Sequence, residues 1–91
     1  MSGASETLKE EIKRALVESL RLPISVDEIG NSMSLFGEGL GLDSIDILEL
    51  VLEMERRFGV SITDDETGQR VLRSVDTIAD FIESERARKT M

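Results

Sequence analysis

The sequence predicts an all-α fold, a small four-helix bundle with a long first connection and a short third helix. Three observations carry this reading. Four segments repeat apolar residues at helical spacing. Capping residues precede those segments, and Pro23 and Gly59 follow the first two long ones. Strand signals are weak, because Val60-Ser61-Ile62 alternates but is too short to need a partner. The 91 residues suit one domain over 1–91, with an ordered core expected at about 5–86.

The first helix rests on Leu8, Ile12, Ala15, Leu16 and Leu20, which share one face. Ser5 is its expected cap. Residues 21–42 form the long connection. Ser25 and Glu28 have capping-box spacing, so a short helical turn is expected there. Gly37, Gly39 and Gly41 then alternate with larger residues, which predicts irregular backbone anchored by Phe36 and Leu40. The second helix is expected from Asp43, a natural N-cap, to Phe58, with Gly59 as its C-terminal glycine. Thr63 and Glu66 again have capping-box spacing and should open a short third helix that Gly68 weakens. Ser74 caps the last helix, whose buried stripe is Val75, Ile78, Ala79 and Ile82, with Phe81 beside it. Arg86, Arg88 and Lys89 suit its C-terminal end.

Composition narrows the chemistry. Cysteine and histidine are both absent, which removes disulfides, thiolate or imidazole metal sites, and the commonest general base. No catalytic or metal-ligating set is assigned. The net charge of −8 argues against nucleic acid as a partner. No apolar run is long enough to span a membrane, and no secretory signal pattern opens the chain. A cytoplasmic monomer is expected. Residues 27–66 hold eleven acids against Arg56 and Arg57 alone. That segment is either an ordinary solvated surface or a field that steers basic partners. Crowded carboxylates should also have raised pKa values in the folded state, so mild acidification should stabilise the fold.

The second helix has two apolar faces. At about 100° per residue, with Ile45 at zero, Ile47, Leu50, Val51, Met54 and Phe58 occupy an arc from about 140° to 240°. That arc should face the core. Ile45, Leu48 and Leu52 occupy another, from about 300° to 360°, and Asp46, Glu49 and Glu53 border it. The second stripe either packs under the 21–42 connection or forms an exposed docking patch, with apolar contact for affinity and carboxylates for register.

The stretch Leu40-Gly41-Leu42-Asp43-Ser44-Ile45-Asp46, followed by Glu49-Leu50, resembles the modification site of acyl carrier proteins. The resemblance extends to Phe36, to Phe58-Gly59-Val60 and to Ser74-Val75-Asp76-Thr77-Ile78-Ala79-Asp80-Phe81-Ile82. It implies that a phosphopantetheinyl transferase, using coenzyme A and magnesium, attaches 4'-phosphopantetheine to Ser44. The terminal thiol of that arm would hold the acyl cargo as a thioester, so the chain itself is not an enzyme. It further implies acyl-transferring and ketosynthase-type partners with basic surfaces. The outer stripe, its acidic border and the charge beside Ser44 make Asp43, Ile45, Asp46, Leu48, Glu49, Leu52 and Glu53 the expected docking residues. The pathway would be fatty acid, polyketide or related specialised synthesis, and the Gly-Leu-Gly-Leu-Asp-Ser-Ile-Asp wording resembles carriers of specialised pathways such as aryl polyene synthesis.

The position of Ser44 agrees with this chemistry. A residue in the first helical turn lies near free amides that favour a phosphate oxygen. Gly39 and Gly41 remove bulk from the approach. Asp43 and Asp46 repel a phosphodiester and make better sense as contacts for a basic transferase or its metal ion. Two features depart from the family pattern. Arg56 and Arg57 stand where many members carry acids, and residues 67–73 run longer than usual, which suggests an irregular third helix. Rival readings are a peptidyl or aminoacyl carrier, which more often has Gly-Gly where this chain has Gly41-Leu42, and an unmodified acidic adapter. A calcium loop is weaker, since Ile45 and Ile47 fall where oxygen ligands belong.

Overall fold

The computed structural model describes residues 6–36 and 39–89. Helix α1 spans Glu6–Leu20, α2 Ser44–Phe58, α3 Asp65–Val71 and α4 Val75–Lys89, with a 3-10 turn at Val26–Glu28. The all-α expectation holds. Among the described residues, β pairing is limited to one isolated bridge between Phe36 and Leu42. The expected cap Ser5 and the glycine Gly37 lie outside the described residues.

Helix α1 buries Leu8, Ile12, Ala15 and Leu16, while Leu20 at its end is only partly covered. It packs against α2, α4 and the 3-10 turn. Two ion pairs fasten it at its flanks. Lys9 Nζ lies 3.0 Å from Asp76 Oδ1 on α4, and Arg57 Nη2 on α2 donates to Glu18 Oε1 at 3.1 Å. The core is continuous from α1 through Leu50, Met54 and Phe58 of α2 to Val75, Ile78, Ala79 and Ile82 of α4. Fully burying one such side chain is worth about 1.5–3 kcal/mol.

The connection from 21 to 42 is stitched to this core. Ile29 and Leu35 are fully buried, and Leu42 nearly so. The expected turn forms, with Glu28 Oε2 accepting from the Ser25 N–H at 3.1 Å. Phe36 and Leu40 do pack against the core. The backbone N–H of Leu35 donates to the Arg73 carbonyl (2.9 Å), and that of Asp76 to the Asn31 carbonyl (2.9 Å). The connection is therefore tied to the α3–α4 corner by main-chain bonds that no side-chain pattern announces. Gly39 passes so close to Ser34 that a Cβ would collide with the Ser34 carbonyl. Gly41 takes a left-handed conformation (φ 71°) that side-chain-bearing residues avoid. These glycines thus serve the irregular backbone path that their alternation predicts.

Helix α2 begins as expected. The Asp43 carboxylate accepts the Asp46 N–H at 3.0 Å, and Asp46 Oδ2 accepts the Asp43 N–H at 3.2 Å, a reciprocal capping box. The helix ends at Gly59 in the left-handed region. Glu55 then accepts the Ile62 N–H (2.9 Å) and holds the turn toward α3.

The start of α3 differs from expectation. Asp64, not Thr63, is the cap, its Oδ1 accepting the Thr67 N–H at 2.7 Å. Aspartate outranks threonine as a cap, so the helix starts one residue later. It is also regular through Gly68, whose N–H donates to the Asp64 carbonyl (3.1 Å) and whose carbonyl accepts from Leu72 (2.9 Å). Ser74 and Thr77 exchange bonds at the start of α4, with Ser74 N–H to Thr77 Oγ1 at 3.0 Å and Thr77 N–H to Ser74 Oγ at 3.3 Å.

The two faces of α2 separate in mutation. Leu50 is fully buried, so Leu50→Ala is expected to lower the unfolding free energy by about 2–5 kcal/mol. Leu52 is 55% exposed, and Leu52→Glu should change it by no more than about 0.5 kcal/mol. Urea titrations of both variants check this. Comparable losses would place Leu52 in the core.

Candidate functional site

Leu42, the capping box and the core face of α2 together set the direction of Ser44. The Leu42 N–H donates to the Leu35 carbonyl at 3.0 Å, which pins the chain just before the helix. Asp43 then caps, and Ser44 becomes the first helical residue, exposed. Its hydroxyl makes no hydrogen bond to a described residue. The backbone N–H groups of Ser44 and Ile45 belong to the first turn, which has no intrahelical acceptors for them.

A groove of about 490 Å³ opens beside Ser44, between α2 and the segment from Ile62 through α3. Ile47, Leu48, Val51 and Leu52 form its α2 wall. Gly68 stands on the opposite wall, and a Cβ there would lie 3.7 Å from Val51 Cγ2 and 3.5 Å from Ile62 Cγ2. The missing side chain keeps the groove wider at that point. In sequence, Gly68 registered only as a weak helix residue; its part in the groove depends on how α3 lies across α2.

The outer stripe is exposed. Ile45, Leu48 and Leu52 are 71%, 61% and 55% accessible, so the 21–42 connection does not cover them. Leu48 and Leu52 also line the groove, which makes them its rim; Ile45 lies outside it. Glu49 is exposed and pairs with no described cation. Asp43 and Asp46 hold each other in the cap. Glu53 is turned inward along the helix: Arg56 Nη2 reaches its Oε1 at 2.6 Å and Arg57 Nε its Oε2 at 2.9 Å. Only 12% of its side chain is accessible. The expected docking residues therefore divide into an open set, Ile45, Leu48, Glu49 and Leu52, and a structurally engaged set, Asp43, Asp46 and Glu53.

Electrostatics follow the same division. The Arg56 hydrogen bond, helped by Arg57, holds the Glu53 carboxyl below its ordinary value of 4.5, against a smaller opposing effect of burial. The Thr67 N–H and hydroxyl hold Asp64 below 3.8. The sequence suggested raised carboxylate values from crowding. The resolved shifts run the other way, because these two carboxylates meet donors rather than one another.

The hydroxyl, the free first-turn amides and the adjoining apolar groove fit a phosphate-linked arm with an acyl end. Among the described residues, no group of three acids is placed to hold a metal, and no helix is long and apolar enough to cross a membrane. A family model described as a phosphopantetheine attachment site matches residues 10–82. The chain is 38% identical over 72 residues to an acyl carrier protein of Nitratidesulfovibrio vulgaris strain Hildenborough, covering 79% of this chain and 90% of that one. It is 37% identical over 73 residues to the strain Miyazaki F counterpart, covering 80% and 91%. The solution structure of a protein from Anaplasma phagocytophilum, described as an acyl carrier protein, superposes with a TM-score of 0.75 at 29% identity, over 93% of this chain and 94% of that one.

The lowered carboxyl values give a pH dependence with a definite sign. A group with a depressed folded-state pKa contributes its full stability above the ordinary value and loses it as pH falls through the folded value. Glu53 and Asp64 should therefore leave the melting temperature flat from pH 7 to about 5, then lower it below about 4.5. Thermal melts across that range measure it. A melting temperature that climbs steadily from pH 7 to 5 would restore the crowding argument.

Proposed function

The chain belongs to the acyl carrier protein family, whose cofactor is 4'-phosphopantetheine, and from that premise we propose that Ser44 is the residue that carries the arm. One observation carries the assignment. Within residues 10–82, Ser44 offers an exposed hydroxyl at the first turn of a capped helix and at the mouth of an apolar groove. The arm supplies a terminal thiol for thioester chemistry, which accounts for a chain without cysteine. The residues of the chain hold and present. The Ser44 and Ile45 amides lie where a phosphate oxygen could accept from them. Ile47, Val51 and the Gly68 gap give an acyl chain an apolar wall to lie against.

In this reading the protein catalyses nothing on its cargo. It passes acyl intermediates of fatty acid, polyketide or related specialised synthesis between separate enzymes, as a cytoplasmic monomer. Partners approach over Ile45, Leu48, Glu49 and Leu52, where apolar contact is available and one free carboxylate can meet a basic residue. Asp43 and Asp46 serve the same approach through the field of the capped turn, and Glu53 contributes less because two arginines already neutralise it.

Incubation with a phosphopantetheinyl transferase, coenzyme A and magnesium tests the attachment. Intact mass should rise by one arm, and peptide mapping should place it on Ser44. Ser44→Ala should fold as the parent does and stay unmodified. Modification of that variant at Ser32, Ser34 or another serine would sink the assignment. Loading rate tests the docking face separately. Leu52→Glu and Glu49→Lys should both slow loading while leaving circular dichroism unchanged, and the Glu49→Lys effect should shrink as salt rises. Parental loading rates in both variants would move the docking surface elsewhere.

A further inference from the structure

A second hollow, of about 500 Å³, lies between the long connection and α3. Phe36 and Ile47 give it apolar walls, and Glu66, Gln69, Arg70 and Arg73 line the rest. Ile47 and Gln69 also line the groove beside Ser44, so the two hollows adjoin. Ile47 follows Ser44 by three residues, about 4.5 Å along the axis of α2. An arm tethered at Ser44 starts within one helical turn of Ile47, a wall that the two hollows share.

The charge of this hollow runs against that of its surroundings. The 27–66 segment is strongly acidic, yet two arginines and one acid line this cleft. Arg56 and Arg57 hold Glu53, Arg57 also holds Glu18, and Arg88 holds Glu85. Arg70 and Arg73 are exposed and form no ion pair with a described residue. Arg70 acts through space on the Asp64 carboxylate without closing on it. Two exposed guanidinium groups with no close carboxylate, lining one hollow with a phenyl ring and an isoleucine, suit an anion on an apolar stem. A carboxylate matches the planar donor fork of arginine. The phosphodiester of the arm is a poorer occupant, because it is bonded to Ser44, and Ser44 lines the other hollow and not this one.

We propose that the cleft bounded by Phe36, Ile47, Arg70 and Arg73 receives the free carboxylate of a dicarboxylic acyl cargo tethered through its other end to the arm on Ser44. This rests on the attachment reading above. Neutral acyl chains lie in the groove beside Gly68, and the carboxylate-bearing class turns across Ile47 toward the arginines.

The test loads the full chain with a transferase and three coenzyme A forms. One bears a five-carbon diacid half-amide with a 13C-labelled carboxylate, one bears its methyl ester, and one bears the free thiol. Intact mass verifies loading. In the diacid form, the carboxylate pKa read by NMR should fall about 1 unit below that of the same group on free pantetheine. The Arg70 and Arg73 Nε–H resonances should move in the diacid form and stay put in the ester form. Arg70→Gln with Arg73→Gln should return the pKa to the free value without changing circular dichroism, since both side chains are exposed. A carboxylate that titrates as it does on free pantetheine overturns the proposal while leaving attachment intact. Equal arginine shifts in the free-thiol form would assign the arginines to the phosphodiester and overturn it as well. Failure of all three forms to load at Ser44 removes the attachment reading and takes this one with it.

Discussion

Asp43 and Asp46 exchange hydrogen bonds across the first turn of α2, and the placement of Ser44 depends on that exchange. A helix turns about 100° per residue, so its starting residue and its buried face together fix every other direction. The buried face is set by Leu50, Met54 and Phe58. The start is set by the cap, and by the Leu42 N–H held on the Leu35 carbonyl just upstream. With both ends of the constraint satisfied, Ser44 has to emerge at the surface beside the groove. A start shifted by one residue would leave the core face intact but put a different side chain in the capped position. The aspartates flanking Ser44 therefore have a structural reason to be acidic, separate from any partner they meet.

The connection before α2 shows why this constraint needs long-range support. A 22-residue segment with little regular structure would cost much conformational entropy to order. Here Ile29, Leu35 and Leu42 are buried, and main-chain bonds tie the segment to the α3–α4 corner. Those bonds satisfy backbone groups that would otherwise be stranded near the core. Gly39 lets the chain pass against the Ser34 carbonyl, and Gly41 makes the left-handed step into Leu42. The loop is thus a scaffold for the helix start.

Much of this was legible in the sequence where the signal was periodic or local. The helices, the Asp43 cap, the Gly59 end and the two faces of α2 all follow from spacing and side-chain chemistry, because a helix repeats its environment every few residues. The connection has no such repeat. Ile29 and Leu35 are as buried as any residue in α1, yet nothing in their spacing marks them, because irregular backbone assigns inward positions one at a time. The cap of α3 was missed by one residue because Thr63 and Asp64 both qualify locally, and the stronger acceptor took the role. The groove and the arginine cleft were invisible for a further reason. The groove lies between α2 and α3, and the cleft between the long connection, α2 and α3, and spacing within one segment says nothing about how it lies across another.

The charge distribution shows how far a count can mislead without geometry. Residues 27–66 look like a uniform acidic field with two arginines as exceptions. In the fold those arginines sit three and four residues beyond Glu53, about one turn, and close on it, and Arg57 reaches across to Glu18 of α1. The distal half of α2 is then close to locally neutral, and Arg56, with a side chain 79% accessible, faces solvent at its end. The proximal half keeps Glu49 unpaired beside Ile45, Leu48 and Leu52. From Ser44 outward the helix presents apolar surface and negative charge first, then an arginine–carboxylate cluster close to neutral. The arginines that break the acidic run thus neutralise the end of α2 and tie it to α1.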